Sequence, residues 1–178
     1  MAYELFLLPV IPGADLEEAG EALLARLEGA AETQAPSPAD AASGALVTAL
    51  RDADPTFGPA PTRDDASECP PAADAPRVPV VELRDSVGIE VSAARGFARF
   101  RVPFHHRGDD AAAVFERLFR LLGAAAAATG WRAYDPQEAE PVALDDDGRE
   151  ATLEIYLSVM DQLRPASPGD VPRASGSR

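Results

Sequence analysis

Two adjacent histidines, His105 and His106, stand just ahead of an acidic pair, Asp109 and Asp110. Imidazole binds transition metals and moves protons near neutral pH. Two such ligands on one element want i, i+2 spacing on a strand or i, i+4 on a helix. Neighbours on extended chain point to opposite faces, so the pair is not expected to share one centre, and no metal site is expected. Either ring could still join Asp109, Asp110 or a carboxylate from elsewhere; the competing reading is a polar loop before a helix.

Asp135 is a second candidate, at the end of a short strand where open α/β sheets often place ligand contacts. Its plainer role is a turn residue accepting from nearby backbone N–H groups, with Pro136 stopping the strand. Arg99 and Arg101 form a basic ladder on the wet face of a strand, with Arg95 and Arg107 nearby. They fit an anionic ligand or partner, or a solvated face balancing acidic neighbours. Cys69 lies in an acidic, proline-flanked stretch that would raise a thiol pKa, so it reads as incidental. Asp64, Asp65 and Glu68 lack the glycine and spacing of a calcium loop and read as solvated charge. Nucleophile elbows, phosphate-binding loops and zinc spacings are absent, so no catalytic residue and no cofactor is expected.

These residues are positioned by the stretch from Asp109 to Gln137. Val114, Phe115, Leu118, Phe119, Leu122, Ala125 and Ala126 recur at helical spacing, with Glu116, Arg117 and Arg120 opposite. Asp109 or Asp110 is the expected N-cap and Gly130 the left-handed stop. Trp131 and Ala133 then alternate with Arg132 and Tyr134 as a strand. Upstream, residues 3–9 are expected to form an interior strand, because Leu5 to Leu8 is continuously apolar. Asp15 caps a helix to about Glu28, with Leu16, Ala19, Leu23 and Leu27 on one face.

Residues 30–77 read as an insertion. A helix capped at Ser37-Pro38-Ala39-Asp40 carries Leu46, Val47 and Leu50 and stops before Asp54-Pro55; residues 56–77 are expected to be disordered. Short strands follow at 80–83 and 87–91, and residues 97–104 return as a strand with Ala98, Phe100, Val102 and Phe104 on its buried face. A short strand at 142–144 and a segment at 149–163 complete the ordered part. That segment alternates Leu153, Ile155 and Leu157 as a strand would; its length and the acidic run before it favour a helix. The tail, 164–178, is expected to be disordered. The whole is an α+β fold, a ferredoxin-like β-α-β-β-α-β sandwich in a single domain over 1–163, with a helical and disordered insertion and an appended C-terminal helix. Two helices would cover one face of an antiparallel sheet.

The opening Met1-Ala2-Tyr3-Glu4-Leu5, together with Thr129-Gly130-Trp131-Arg132-Ala133-Tyr134-Asp135-Pro136-Gln137, resembles a loose group of uncharacterised bacterial proteins. These begin with a Tyr-Asp/Glu-Leu strand and carry a helix, a glycine, an apolar strand and Asp-Pro-Gln. The resemblance covers about a fifth of the chain. It implies an α/β fold and a bacterial origin and carries no catalytic residue with it.

Charge bounds the partners. The 178 residues hold 30 acidic and 16 basic side chains, a formal charge of −14. Every basic residue is arginine, as a high-GC genome produces. A negative field repels nucleic acid and anionic membranes and attracts basic proteins. Without an apolar run of membrane-spanning length or a basic leader, a cytoplasmic location is expected. The reading that results is a non-enzymatic acidic module binding a basic protein, such as a toxin it neutralises. The alternatives are a small enzyme or ligand-binding domain built on His105, His106, Asp135 and the arginine ladder, and a homodimer whose charge serves solubility.

Overall fold

The apolar run near the start of the chain becomes strand β1 (Ala2–Leu8), which is interior as expected. It pairs antiparallel with β5 (Phe97–Pro103) on one side and β6 (Arg132–Asp135) on the other. The computed structural model describes residues 2–10, 13, 15–29, 41–59, 81–94 and 96–163. The remaining strands are β2 (Gly58–Pro59), β3 (Val81–Arg84), β4 (Glu90–Ala94) and β7 (Glu140–Val142). They complete one seven-stranded sheet in the order β2-β3-β4-β5-β1-β6-β7. Every pairing is antiparallel. Among the described residues four helices accompany it: α1 (Leu16–Gly29), α2 (Ala41–Ala53), α3 (Gly108–Thr129) and α4 (Asp146–Gln162).

Both faces of β1 are apolar, so both need cover. Tyr3, Leu5 and Leu7 join the larger core with residues of α2, α3 and α4. Phe6 and Leu8 join Tyr134 and the α1 residues Leu16 and Leu23 in a second core. This division departs from a plan in which two helices share one face with α1 among them. The helices on the same face as α3 are α2, from within the expected insertion, and α4, and α1 lies on the opposite face. The sheet also carries three more strands than the four of a β-α-β-β-α-β plan.

Helix α3 holds the larger core together. Ala111, Val114, Phe115, Leu118, Phe119, Leu121, Leu122 and Ala125 are buried along it, and each large side chain among them contributes roughly 1.5–3 kcal/mol. Gly130 ends it in the left-handed region at φ 71°, donating to the Ala126 carbonyl, a conformation that costs an L side chain free energy. Its start differs from expectation. Arg107, not Asp109 or Asp110, occupies the N-cap, with extended backbone and no side-chain cap. The two aspartates fall in the first turn, where the dipole still favours them.

Arg117 is not simply on a polar side of α3. It ion-pairs with Asp54, just after α2, and with Asp85, in the β3–β4 turn. Asp54 accepts from the Thr56 N–H and hydroxyl. Burial pushes its pKa up, but those bonds and the Arg117 and Arg120 charges outweigh burial and hold it below the usual range. Asp85 accepts from the Val87 and Ile89 N–H groups. Residues 56–59 are correspondingly not disordered: Phe57 is buried and Gly58–Pro59 pairs with β3.

At the other end the helical reading of 149–163 agrees with α4, which begins at Asp146 with Asp145 accepting from the Gly148 N–H at 2.9 Å. Strand β7 falls two residues earlier than the strand expected at 142–144. The capping sequence 37–40, Arg95, Cys69, the acidic cluster at 64–68, residues 60–77 and the tail lie outside the described residues.

Candidate functional site

The chain leaves β5 at Pro103 and turns through Phe104 and His105 before entering α3. The turn decides where the two imidazoles point. The His105 N–H donates to the Pro103 carbonyl at 2.9 Å, so this backbone is folded, and the extended geometry that would separate neighbouring side chains does not apply. The two rings lie side by side instead, centroids 4.0 Å apart and planes inclined by 40°. His105 is exposed; His106 is 5% exposed.

His106 is fixed from two directions. Its N–H donates to the Tyr156 hydroxyl oxygen at 3.2 Å, and that hydroxyl donates to the Pro103 carbonyl at 2.8 Å. Its Nδ1 lies 2.7 Å from Asp110 Oδ2. An ionised carboxylate only accepts, so this bond puts a proton on Nδ1. Nε2 is buried with no hydrogen-bond partner among the described residues. An unpaired buried donor or acceptor costs about 1–3 kcal/mol. This is the least satisfied polar group of the histidine turn.

Behind the turn is an aromatic cluster. Tyr156 stacks on Phe104 with centroids 5.3 Å apart and packs at 4.9 Å against Phe115. Tyr3 meets Tyr156 edge-on at 6.1 Å. The Tyr3 hydroxyl donates to Asp135 Oδ2, and Asp135 Oδ1 accepts from the Gln137 N–H at 2.8 Å. The turn role expected of Asp135 is therefore present, together with a tyrosine partner. Burial pushes the Asp135 pKa up, with the Tyr3 and backbone bonds acting the other way. Burial, then the Asp135 hydrogen bond and charge, push Tyr3 far up, and burial raises Tyr156 as well.

Arg99 and Arg101 alternate with the buried Ala98, Phe100 and Val102, so they occupy the sheet face opposite α3. Arg101 pairs with Glu4 and Glu90, each at 3.1 Å, and Arg99 lies 3.9 Å from Glu4. Arg84 extends the ladder to Glu90 at 3.8 Å. These arginines balance acidic neighbours. Of the candidate residues, the structure brings together His105 and His106, and links the His106 backbone to Asp135 only through the Tyr156–Tyr3 contact. Tyr3, Tyr156 and the Arg117 pairs were not singled out from sequence; a tyrosine at helical spacing carries no mark that its hydroxyl is shared with a distant turn.

A cleft of about 170 Å³ lies between the start of α1 and the β6–β7 hairpin, with Val10, Leu16, Arg132 and Pro141 in its wall. It contains none of the candidate residues and is below the ~300–1,000 Å³ of most small-molecule sites. Among the described residues, no group of three or more His, Cys, Asp or Glu is placed to hold a metal. No helix there is long and apolar enough to cross a membrane. No family model, curated protein or solved structure matches the chain.

Proposed function

We propose that the chain is a non-enzymatic docking module for a basic protein, the role an immunity protein or antitoxin fills in a cytoplasm. The carrying observation is how charge is distributed. Arg84, Arg99, Arg101, Arg117, Arg120 and Arg149 are each spent in ion pairs within the fold. On the outer side of α4, by contrast, Asp147, Glu150, Glu154 and Asp161 are exposed, and none has a cation partner among the described residues. Like charges three or four apart on a helix destabilise it by a few tenths of a kcal/mol per pair. Asp161 also faces the negative end of the dipole, in a last turn without a basic residue. Glu138 and Glu140, on the adjoining β6–β7 hairpin, extend the same sign.

A surface arranged this way steers a basic partner and repels nucleic acid. The strands β4, β5, β1 and β6, with α2 and α3 over them, are read as a ferredoxin-like kernel that supports it. The rest of the sheet, α1 and α4 are additions. The test is capture of a basic protein from source-cell lysate at low salt, with wild-type chain and with Glu150→Arg/Glu154→Arg. We expect one basic partner, released by salt and bound on the order of tenfold more weakly by the reversed variant. Binding indifferent to both salt and charge reversal would overturn the proposal, and a self-associated chain capturing nothing would favour a homodimer.

A further inference from the structure

We infer that helix α1 is a cover that opens separately from the rest of the fold, and that the Tyr134 hydroxyl beneath it makes opening easier. Three observations converge on α1. The first is how little holds it. Among the described residues its large buried side chains are Leu16 and Leu23, whereas α3 buries Val114, Phe115, Leu118, Phe119, Leu121 and Leu122. The Glu17 and Ala19 N–H groups donate to Asp15, just ahead of the helix. Among the described residues no ion pair and no side-chain hydrogen bond ties α1 to the sheet, although Glu17, Glu18 and Glu21 stand exposed along it.

The second observation is what lies underneath. Tyr134 is 1% exposed, and its hydroxyl is buried with no hydrogen-bond partner among the described residues. The far end of the ring sits against the α1 backbone at Gly20, where there is no room for a Cβ. An unpaired buried hydroxyl carries its desolvation cost for as long as the helix is closed, and water removes that cost when the helix lifts. The third observation is that the seat is a core of its own. Phe6, Leu8, Leu16, Leu23 and Tyr134 pack together on the sheet face opposite α3, so α1 can leave while the larger core stays packed. Units of this kind open below the global unfolding limit. A 14-residue helix barely holds in water by itself. Lifting and melting therefore go together, and the backbone entropy regained offsets part of the lost burial. Opening uncovers Phe6, Leu8 and Tyr134 beside the β6–β7 hairpin, an apolar face that the closed protein hides. The device is independent of the acidic side of α4.

The test is hydrogen exchange on the full chain, read residue by residue by NMR, for wild type and Tyr134→Phe. Thermal melts establish that the variant folds. We expect the amides of Gly20 to Leu24 to exchange at least about tenfold faster than those of Leu118 to Leu122. In Tyr134→Phe the α1 amides should gain about fivefold protection or more, because the unpaired hydroxyl is gone. Equal exchange in α1 and α3 would mean that the two unfold together, and overturns the cover. Unchanged or weaker protection in Tyr134→Phe would mean that the hydroxyl is bonded in the closed protein, and overturns its role. Nitration of wild type by tetranitromethane is a second measurement. Tyr3, Tyr134 and Tyr156 are each at most 1% exposed, so the closed protein shields all three. Burial, then the Glu21 and Glu17 charges, also raise the Tyr134 pKa while α1 is closed. Nitration of Tyr134 about tenfold faster than of the other two agrees with the cover, and equal protection of the three overturns it.

Discussion

Asp135 concentrates the residue-scale physics of this protein: a buried carboxyl group met by the Tyr3 hydroxyl and by the backbone N–H groups of Gln137 and Glu138. Its folded pKa lies above the unfolded one because burial outweighs those bonds. The folded state therefore holds the proton more tightly than the unfolded state. Its contribution to stability is fully present below the unfolded pKa of about 3.9 and is lost as pH rises through the folded pKa. Asp135→Asn keeps an oxygen acceptor and removes the titration. We expect the stability of the variant relative to wild type to increase with pH through that window, measured by urea unfolding at a series of pH values. A difference that stays flat with pH would mean that the carboxyl group is solvated after all. The turn role of Asp135 was legible in Asp-Pro-Gln, because side-chain-to-backbone bonding is local. The tyrosine was not, since Tyr3 and Asp135 are 132 residues apart. The same distinction explains the histidines: the expectation that they diverge assumed extended backbone, and the bend at Phe104 and His105 removes that premise.

At the scale of elements, helix periodicity located α1 and α3 from sequence, length and a preceding acidic run pointed to α4, and Gly130 marked the end of α3. Periodicity says which side of a helix is apolar; it does not say which face of the sheet receives it, and α1 was accordingly placed with α3. A clue was present in Leu5-Phe6-Leu7-Leu8, since a strand apolar on both faces requires cover on both. The seat of α1 is tight at Gly20, where an added Cβ would clash with the Tyr134 ring. Gly123, in α3, has nothing within 4 Å of such a Cβ. Alanine favours a helix interior over glycine by roughly 0.5–1 kcal/mol. Gly123→Ala is expected to stabilise by about that amount, whereas Gly20→Ala should destabilise despite the same propensity gain; thermal melts of the pair check both signs. Arg117 joins three elements, and Arg117→Leu would leave buried Asp85 without its cation and buried Asp54 with only Arg120, 4.0 Å away. The expected loss is about 3–5 kcal/mol, read from the shift in urea midpoint.

For the whole molecule the formal charge of −14 was plain from composition, but its arrangement was not. Composition cannot tell that arginines on the sheet face opposite α3 and around Asp54 are consumed internally while carboxylates on α4 are left over. That remainder is what the proposed partner would meet. The salt dependence of complex formation is the whole-molecule observable, because screening acts on the long-range field and barely touches the half-buried pairs.

The position of β1 has a consequence for how the protein is made. Of the strands described this one is translated earliest, yet its partners are residues 98–103 and 132–134. At about 5–20 residues per second, synthesis of the intervening chain takes on the order of ten seconds. Until β5 emerges Leu5 to Leu7 has no strand to pair with, and the other edge of β1 stays open until β6 follows. Exposed apolar segments of that kind make a nascent chain prone to aggregation, and the two strands flanking β1 must close on a segment made well before either of them.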